Sequence, residues 1–403
     1  MKYVEGGVCA AKGFTANGVH CGIRKNKAKL DLALIVSEKL AATACVYTQN
    51  LVKGAPIHVT RENVKNGYAQ AIICNSGNAN TCNANGIEIA EGMCALVEKE
   101  IGIPKSDVVV ASTGVIGQQL SLDPIKSGIG ELAKGLGDKS HEANLAIMTT
   151  DTIEKSVTVE FELDGKTCKI GGIAKGSGMI HPNMATMLCF ITTDADIAPE
   201  MLQKALSDDI KSSFNMMSID GDTSTNDMVT VMANGMAGNQ KIVFGGKDYD
   251  TFKEALGLVT KGLARLIAKD GEGATKLLVC NTKGAKDLDT ARVVAKSVIT
   301  SSLLKAAMFG SDANWGRVLC AIGYSGADVD VNKINVEFAS RAGIIAVCVN
   351  GSGIDFDEDE AKKILLEKEI DINVNLNSGE YSATAWGCDL TYDYVKINGD
   401  YRT

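Results

Sequence analysis

Residues 176–190 read GSGMIHPNMATMLCF: a glycine-rich approach ends in Met184-Ala185-Thr186 and runs at once into an apolar stretch. A Thr hydroxyl beside its own preceding carbonyl can attack it when the loop holds a strained geometry. The amide then becomes an ester, and water releases it. The small side chain of Ala185 leaves that carbonyl accessible, and Gly176 and Gly178 admit unusual backbone angles on the approach. A cut between Ala185 and Thr186 gives Thr186 a free α-amine beside its Oγ. Nucleophile and general base then sit in one residue, because an α-amine has a reference pKa of roughly 7.7–8.0. The spacing alone also admits a plainer reading, a buried strand that opens on one hydrogen-bonded Thr. Ala-Thr pairs recur at Ala42-Thr43 and Ala383-Thr384. His181 is a weaker candidate base than the α-amine, and is read as packing the loop or aiding the cut.

The elements that must position this stretch mix strand and helix patterns. Residues 30–37 and 43–48 read as two strands, QAIICNSG as a buried strand, and DVVVASTG as a short buried strand ending at Thr113-Gly114. Ile87, Ala90, Cys94, Val97 and Ile101 recur with helical spacing and predict a helix capped by Gly102. SVTVEFELDGKTCKIGGIAKG predicts a hairpin turning at Asp164-Gly165. Residues 199–214, 249–269 and 288–309 read as helices, and the chain from Glu369 returns to strand character. The polar runs NSGNANTCNANG and 221–227 (GDTSTND) read either as ligand-facing or as loops held by side chain–backbone bonds. Neither GxGxxG nor GxxxxGK[ST] occurs, so the two common phosphate-binding fingerprints are absent.

A chain of 403 residues is long for one core, and predicts two lobes or a large body with an annex. With 42 Gly, 5 Pro and 5% aromatics, the core should be aliphatic and many loops should depend on glycine. The net charge of −8 is well mixed, with no basic stripe, so nucleic acid is not an expected partner. The start lacks a signal-peptide apolar region, and no apolar run approaches the ~18 residues of a membrane span. The twelve cysteines include no CxxC pair and only four His accompany them, so free thiols in a reducing cytoplasm are expected, and no metal site.

KGSGMIHPNMATMLCFITTDA resembles the cleavage-site signature of the ornithine acetyltransferase family, also called glutamate N-acetyltransferase, of arginine biosynthesis. The resemblance continues through GFTANGVHCGIRKNKAKLDLALI, ICNSGNANTCNANG, ASTGVIGQQL, MTTDT, SIDGDTSTNDMV, KDGEGATK, SDANWGRVLCAIGYSG and CDLTYDYVKINGDYRT, essentially the whole chain. It implies a precursor that cuts itself into an α chain, 1–185, and a β chain, 186–403, which stay together as an α2β2 assembly. It implies that Thr186 takes an acetyl group from N-acetylornithine and passes it to glutamate, and that Thr113 and Gly114 form the oxyanion hole. Thr152, Lys175, Thr186, Glu272, Asn398 and Thr403 carry over as substrate-binding residues. No cofactor is implied; acetyl-CoA enters as a second donor substrate in bifunctional members and is not used by monofunctional ones. The rival readings are an amidase or aminopeptidase on a related scaffold, and a binding protein without activity. The fold implied is α/β (α+β), an N-terminal-nucleophile-like layered sandwich with sheets face to face and helices outside. A smaller α/β lobe is placed within 279–360.

Overall fold

The computed structural model describes residues 1–181 and 187–399, so Ala185, Thr186 and Thr403 lie outside the described residues. The chain forms two compact units. The first takes Met1–Gly176, Asn183–Phe214 and Thr223–Leu263; the second takes Ser177–Pro182, Asn215–Asp222 and Ala264–Thr403.

The first unit contains β1 (Lys2–Val4), β2 (Phe14–Val19), β3 (Leu32–Tyr47), α1 (Ala55–Asn63), β4 (Tyr68–Asn75), α2 (Gly86–Ile101), β5 (Val108–Ser112), α3 (Asp123–Lys134) and α4 (Ser140–Ile147). It continues with β6 (Lys155–Leu163), β7 (Lys166–Lys175), β8 (Leu188–Thr193), α5 (Pro199–Asp209), β9 (Met228–Ala233) and most of α6 (Lys247–Lys269). Hydrogen bonds join its strands in the order β1-β6-β7-β8-β9-β3-β4-β5, with β2 also on β3.

The stretch read as two strands is one, β3, of 16 residues. Glu38, Lys39 and Leu40, between the two stretches, are exposed yet stay in the strand. The ladder shifts register between Val36 and Ala41, so β3 bends; its first half pairs with β4 and its second with β9. That bend folds the sheet over on itself. Ile35, Ile72 and Val109 from one side share a core with Ile173, Phe190 and Met232 from the other. The alternate residues Leu34, Ile73 and Val110 face outward against Met93 and Val97 of α2 and Ile129 of α3. Period-two alternation thus lets one strand serve two layers. On the opposite outside, Phe252 of α6 stacks at 6.4 Å on Phe161 of β6. The expected sandwich, sheets face to face with helices outside, is what the chain forms.

Other local rules hold. Gly102 caps α2 at φ 75°. Asp164 and Gly165 turn the β6–β7 hairpin at φ 48° and 67°, the paired positive angles a two-residue turn requires. The helix read over 199–214 ends at Asp209 and continues as short 3₁₀ turns.

The second unit contains the end of α6 and then β10 (Leu277–Ala285), α7 (Leu288–Thr300), α8 (Ser302–Phe309), α9 (Trp315–Gly323), β11 (Asn335–Ser340), β12 (Gly343–Val349) and β13 (Ser352–Gly353). It closes with α10 (Glu358–Leu365), β14 (Glu369–Asn375), β15 (Tyr381–Cys388) and α11 (Tyr392–Asn398). Its sheet runs β13-β12-β11-β14-β10-β15. Ile370, Ile372 and Val374 alternate into the core, while Asp371 and Asn373 line a polar face with Asn281. This unit covers more chain than 279–360.

The single helix over 288–309 is two, because Ser301 leaves helical angles and its hydroxyl accepts the Leu304 N–H as the cap of α8. The C-terminal stretch does not stay in strand; Thr391 caps α11 by accepting the Tyr394 N–H. No described helix is long and apolar enough to cross a membrane.

Candidate functional site

In the first unit, β5 ends at Ser112 and delivers Thr113 and Gly114. The Thr113 N–H continues the ladder to Asn75 O at 2.9 Å. Gly114 then turns at φ 128°, and a β-carbon there would stand 2.7 Å from the Gly77 carbonyl carbon. Only glycine fits that close approach. The Gly114 N–H donates to no described residue, which suits a donor reserved for a developing oxyanion.

Asparagines make this corner rigid. Asn75 Nδ2 donates to Ser112 Oγ at 2.7 Å, and its Oδ1 accepts the Gly77 and Asn78 N–H groups. Asn226 Nδ2 donates to Ala79 O at 2.6 Å and to Ser112 O at 3.0 Å, while its Oδ1 accepts the Thr81 and Thr225 hydroxyls. The NSGNANTCNANG loop and the Asn226 end of GDTSTND therefore hold backbone in place.

Lys175 ends β7, and its Nζ lies 3.5 Å from Thr113 Oγ1. Beneath it, Asp151 accepts the Lys155 ammonium at 2.6 Å and the Gly176 N–H at 2.7 Å. Burial pushes the Asp151 carboxyl up, but Lys175, Lys155 and the Gly176 N–H outweigh it and bring it down to about 2. Asp151 is thus a permanent anion that balances two buried cations and pins the chain where β7 ends. Thr152, next along, is exposed. The structure so brings Thr113, Gly114 and Lys175 together in this unit.

In the second unit, the Glu272 N–H donates to Ser177 O at 2.8 Å, and Asn398 Nδ2 donates to Glu272 Oε2 at 2.8 Å. Glu272 is buried, and a β-carbon on Gly178 would stand 2.3 Å from its Oε2. Gly178 is therefore needed for this contact; of the two glycines expected to adopt unusual backbone angles, only Gly176 stands at a positive φ. Glu272 and Asn398 are brought together here.

Beside them, His181 Nδ1 lies 3.0 Å from Ser218 Oγ. Burial, then the nearby Lys296 charge, lowers the His181 pKa to about 4 against a smaller upward pull from Asp220. His181 is neutral at ordinary pH. Burial alone brings Lys296 down to about 7, and its Nζ donates to Asn215 O and Met217 O at 2.6 and 2.8 Å.

Sequence reasoning missed Asp151, Asn226 and Asp220 as structural members of these sites. All three lie inside motifs quoted above, MTTDT and SIDGDTSTNDMV.

Residues 15–403 match the model of the ArgJ family, and the chain belongs to that family. It is 52% identical over 405 residues to the arginine biosynthesis bifunctional protein ArgJ of Caldanaerobacter subterraneus, covering 100% of both chains. It is 51% identical to arginine biosynthesis bifunctional protein ArgJ 1 of Clostridium acetobutylicum, covering 97% of this chain and 96% of that one. The crystal structure of the Bacillus halodurans protein of the same name is 45% identical; it aligns with 52% of this chain and 96% of its own, at a TM-score of 0.49.

Proposed function

We propose that the chain is a self-processing acyltransferase of arginine biosynthesis, which moves an acetyl group from N-acetylornithine to glutamate. The observation that carries this reading is the 52% identity to a bifunctional arginine-biosynthesis protein over the full length of both chains. The geometry at Thr113, Gly114 and Lys175 supports it.

Thr186 Oγ attacks the Ala185 carbonyl, the amide shifts to an ester, and water releases the α chain (1–185) from the β chain (186–403). In the mature enzyme the Thr186 α-amine takes the proton as Oγ attacks the acetyl carbonyl of N-acetylornithine. The tetrahedral oxyanion is met by Thr113 and the Gly114 N–H. Ornithine leaves with the proton, an acetyl-Thr186 ester remains, and the glutamate amine attacks it to give N-acetylglutamate. Thr152 and Lys175 bind substrate, Lys175 by meeting an α-carboxylate, while Glu272 with Asn398 and Thr403 receives the cationic end of ornithine.

The reading extends to acetyl-CoA as a second donor, in keeping with the word bifunctional in the relatives' names. It extends also to an α2β2 assembly in the cytoplasm. The test is to supply N-acetylornithine and glutamate and to quantify N-acetylglutamate, ornithine and free acetate. Stoichiometric N-acetylglutamate and ornithine are expected, and both should vanish in Thr186→Ala. Free acetate in place of N-acetylglutamate would make the chain an amidase instead.

A further inference from the structure

Asp220, in the second unit, closes its carboxylate on the approach to the expected cleavage point. Its Oδ2 accepts the Met179 N–H at 2.6 Å and the Tyr394 hydroxyl at 3.3 Å. Its Oδ1 accepts the Ile180 N–H at 2.9 Å and the Asp222 N–H at 3.3 Å. Met179 stands at φ 56°, in the left-handed region that a residue with a β-carbon enters at a cost. At 43% exposure its side chain buries too little to repay that cost. Two consecutive N–H groups on one carboxylate are what hold it. Beyond Met179 the backbone is fixed, since Ile180 O accepts the Ile219 N–H at 2.7 Å and the Ser218 hydroxyl at 3.3 Å.

We propose that Asp220 is a positioning residue for self-cleavage, keeping Met179 left-handed and so setting the direction in which the chain leaves Ile180 towards Ala185 and Thr186. The proposal rests on the self-processing reading above. It explains why an acidic residue outside the substrate set stands against the approach. It also explains why the strained position comes next to Gly178, whose own place is taken up by Glu272.

The test follows newly translated precursor into two chains, for wild type, Asp220→Asn, Met179→Gly and the double variant. Asp220→Asn is expected to slow cleavage by about tenfold or more, the worth of one charge-assisted hydrogen bond. Met179→Gly in that background should restore most of the rate, because glycine takes a positive φ freely. Asp220→Glu, paired with the same rescue, replaces Asp220→Asn if the latter does not fold. Cleavage by the Asp220 variant within about twofold of wild type, or no recovery with Met179→Gly, overturns the proposal. Amide exchange at Met179 and Ile180, measured in Thr186→Ala chains, gives a readout independent of cleavage, with faster exchange expected when Asp220 is replaced. A wild-type chain that never cleaves defeats the self-processing reading, and the exchange data then decide the role of Asp220 alone.

Discussion

Of the residues at the end of β5, Gly114 is the most tightly constrained. Its φ of 128° and the 2.7 Å that a β-carbon would leave to the Gly77 backbone make any side chain there displace the turn. Gly114→Ala is therefore expected to lower kcat by two orders of magnitude or more while the protein still folds. Thr113→Ala should cost about 2.7–4 kcal/mol of barrier if Thr113 serves the oxyanion. Steady-state kinetics check both, and a change confined to KM would remove the pair from that role. Thr113-Gly114 was legible as a strand end followed by glycine. Asn226 was not, because its partners Ser112 and Ala79 are 114 and 147 positions away, and only the fold brings them close. Asp151 was hidden for a similar reason: its value lies in two lysines that strand geometry delivers.

Among the elements, helix spacing and turn chemistry identified α2, α6 and the Asp164-Gly165 hairpin because each is decided locally. The β3 bend and the α7–α8 break were misread because each is decided by tertiary context. Residues 38–42, left between the two strands that were read, hold an irregularity within one strand, and Ser301, read inside a helix, caps the next one. Lys296 of α7 supplies a pH test. Its folded pKa of about 7 lies below the roughly 10.4 of an unfolded lysine. Between those values the unfolded chain holds a proton that the folded chain has lost, so stability rises with pH. Urea unfolding at pH 7 and 10 should show wild type gaining on the order of 3 kcal/mol relative to Lys296→Met. A flat difference would mean that Lys296 stays charged in the fold.

For the whole molecule, the expected cut falls between two strands that pair with each other. β7 and β8 run antiparallel from Ile170 opposite Thr193 to Lys175 opposite Leu188, and Ile173 and Phe190 are wholly buried in the shared core. Cleavage therefore does not divide the first unit. The α and β chains should co-elute in native chromatography and separate only in denaturant. Light scattering should give a mass near twice 42.4 kDa if the assembly is α2β2. Two halves that part in native buffer would contradict the shared sheet. The mixed α/β character was legible from strand and helix patterns and the layered sandwich only through the family resemblance, whereas the extent of the second unit was not legible, since its pieces come from three separate stretches of chain.

Self-cleavage and acetyl transfer through Thr186 are both read from the intact mass of the denatured protein, taken before and after incubation with N-acetylornithine. Two chains are expected, the second beginning TMLCFITT, with one acetyl group appearing on Thr186 after incubation and leaving when glutamate is added. A single chain of 42.4 kDa that takes up no acetyl group would contradict both the cleavage and the transfer.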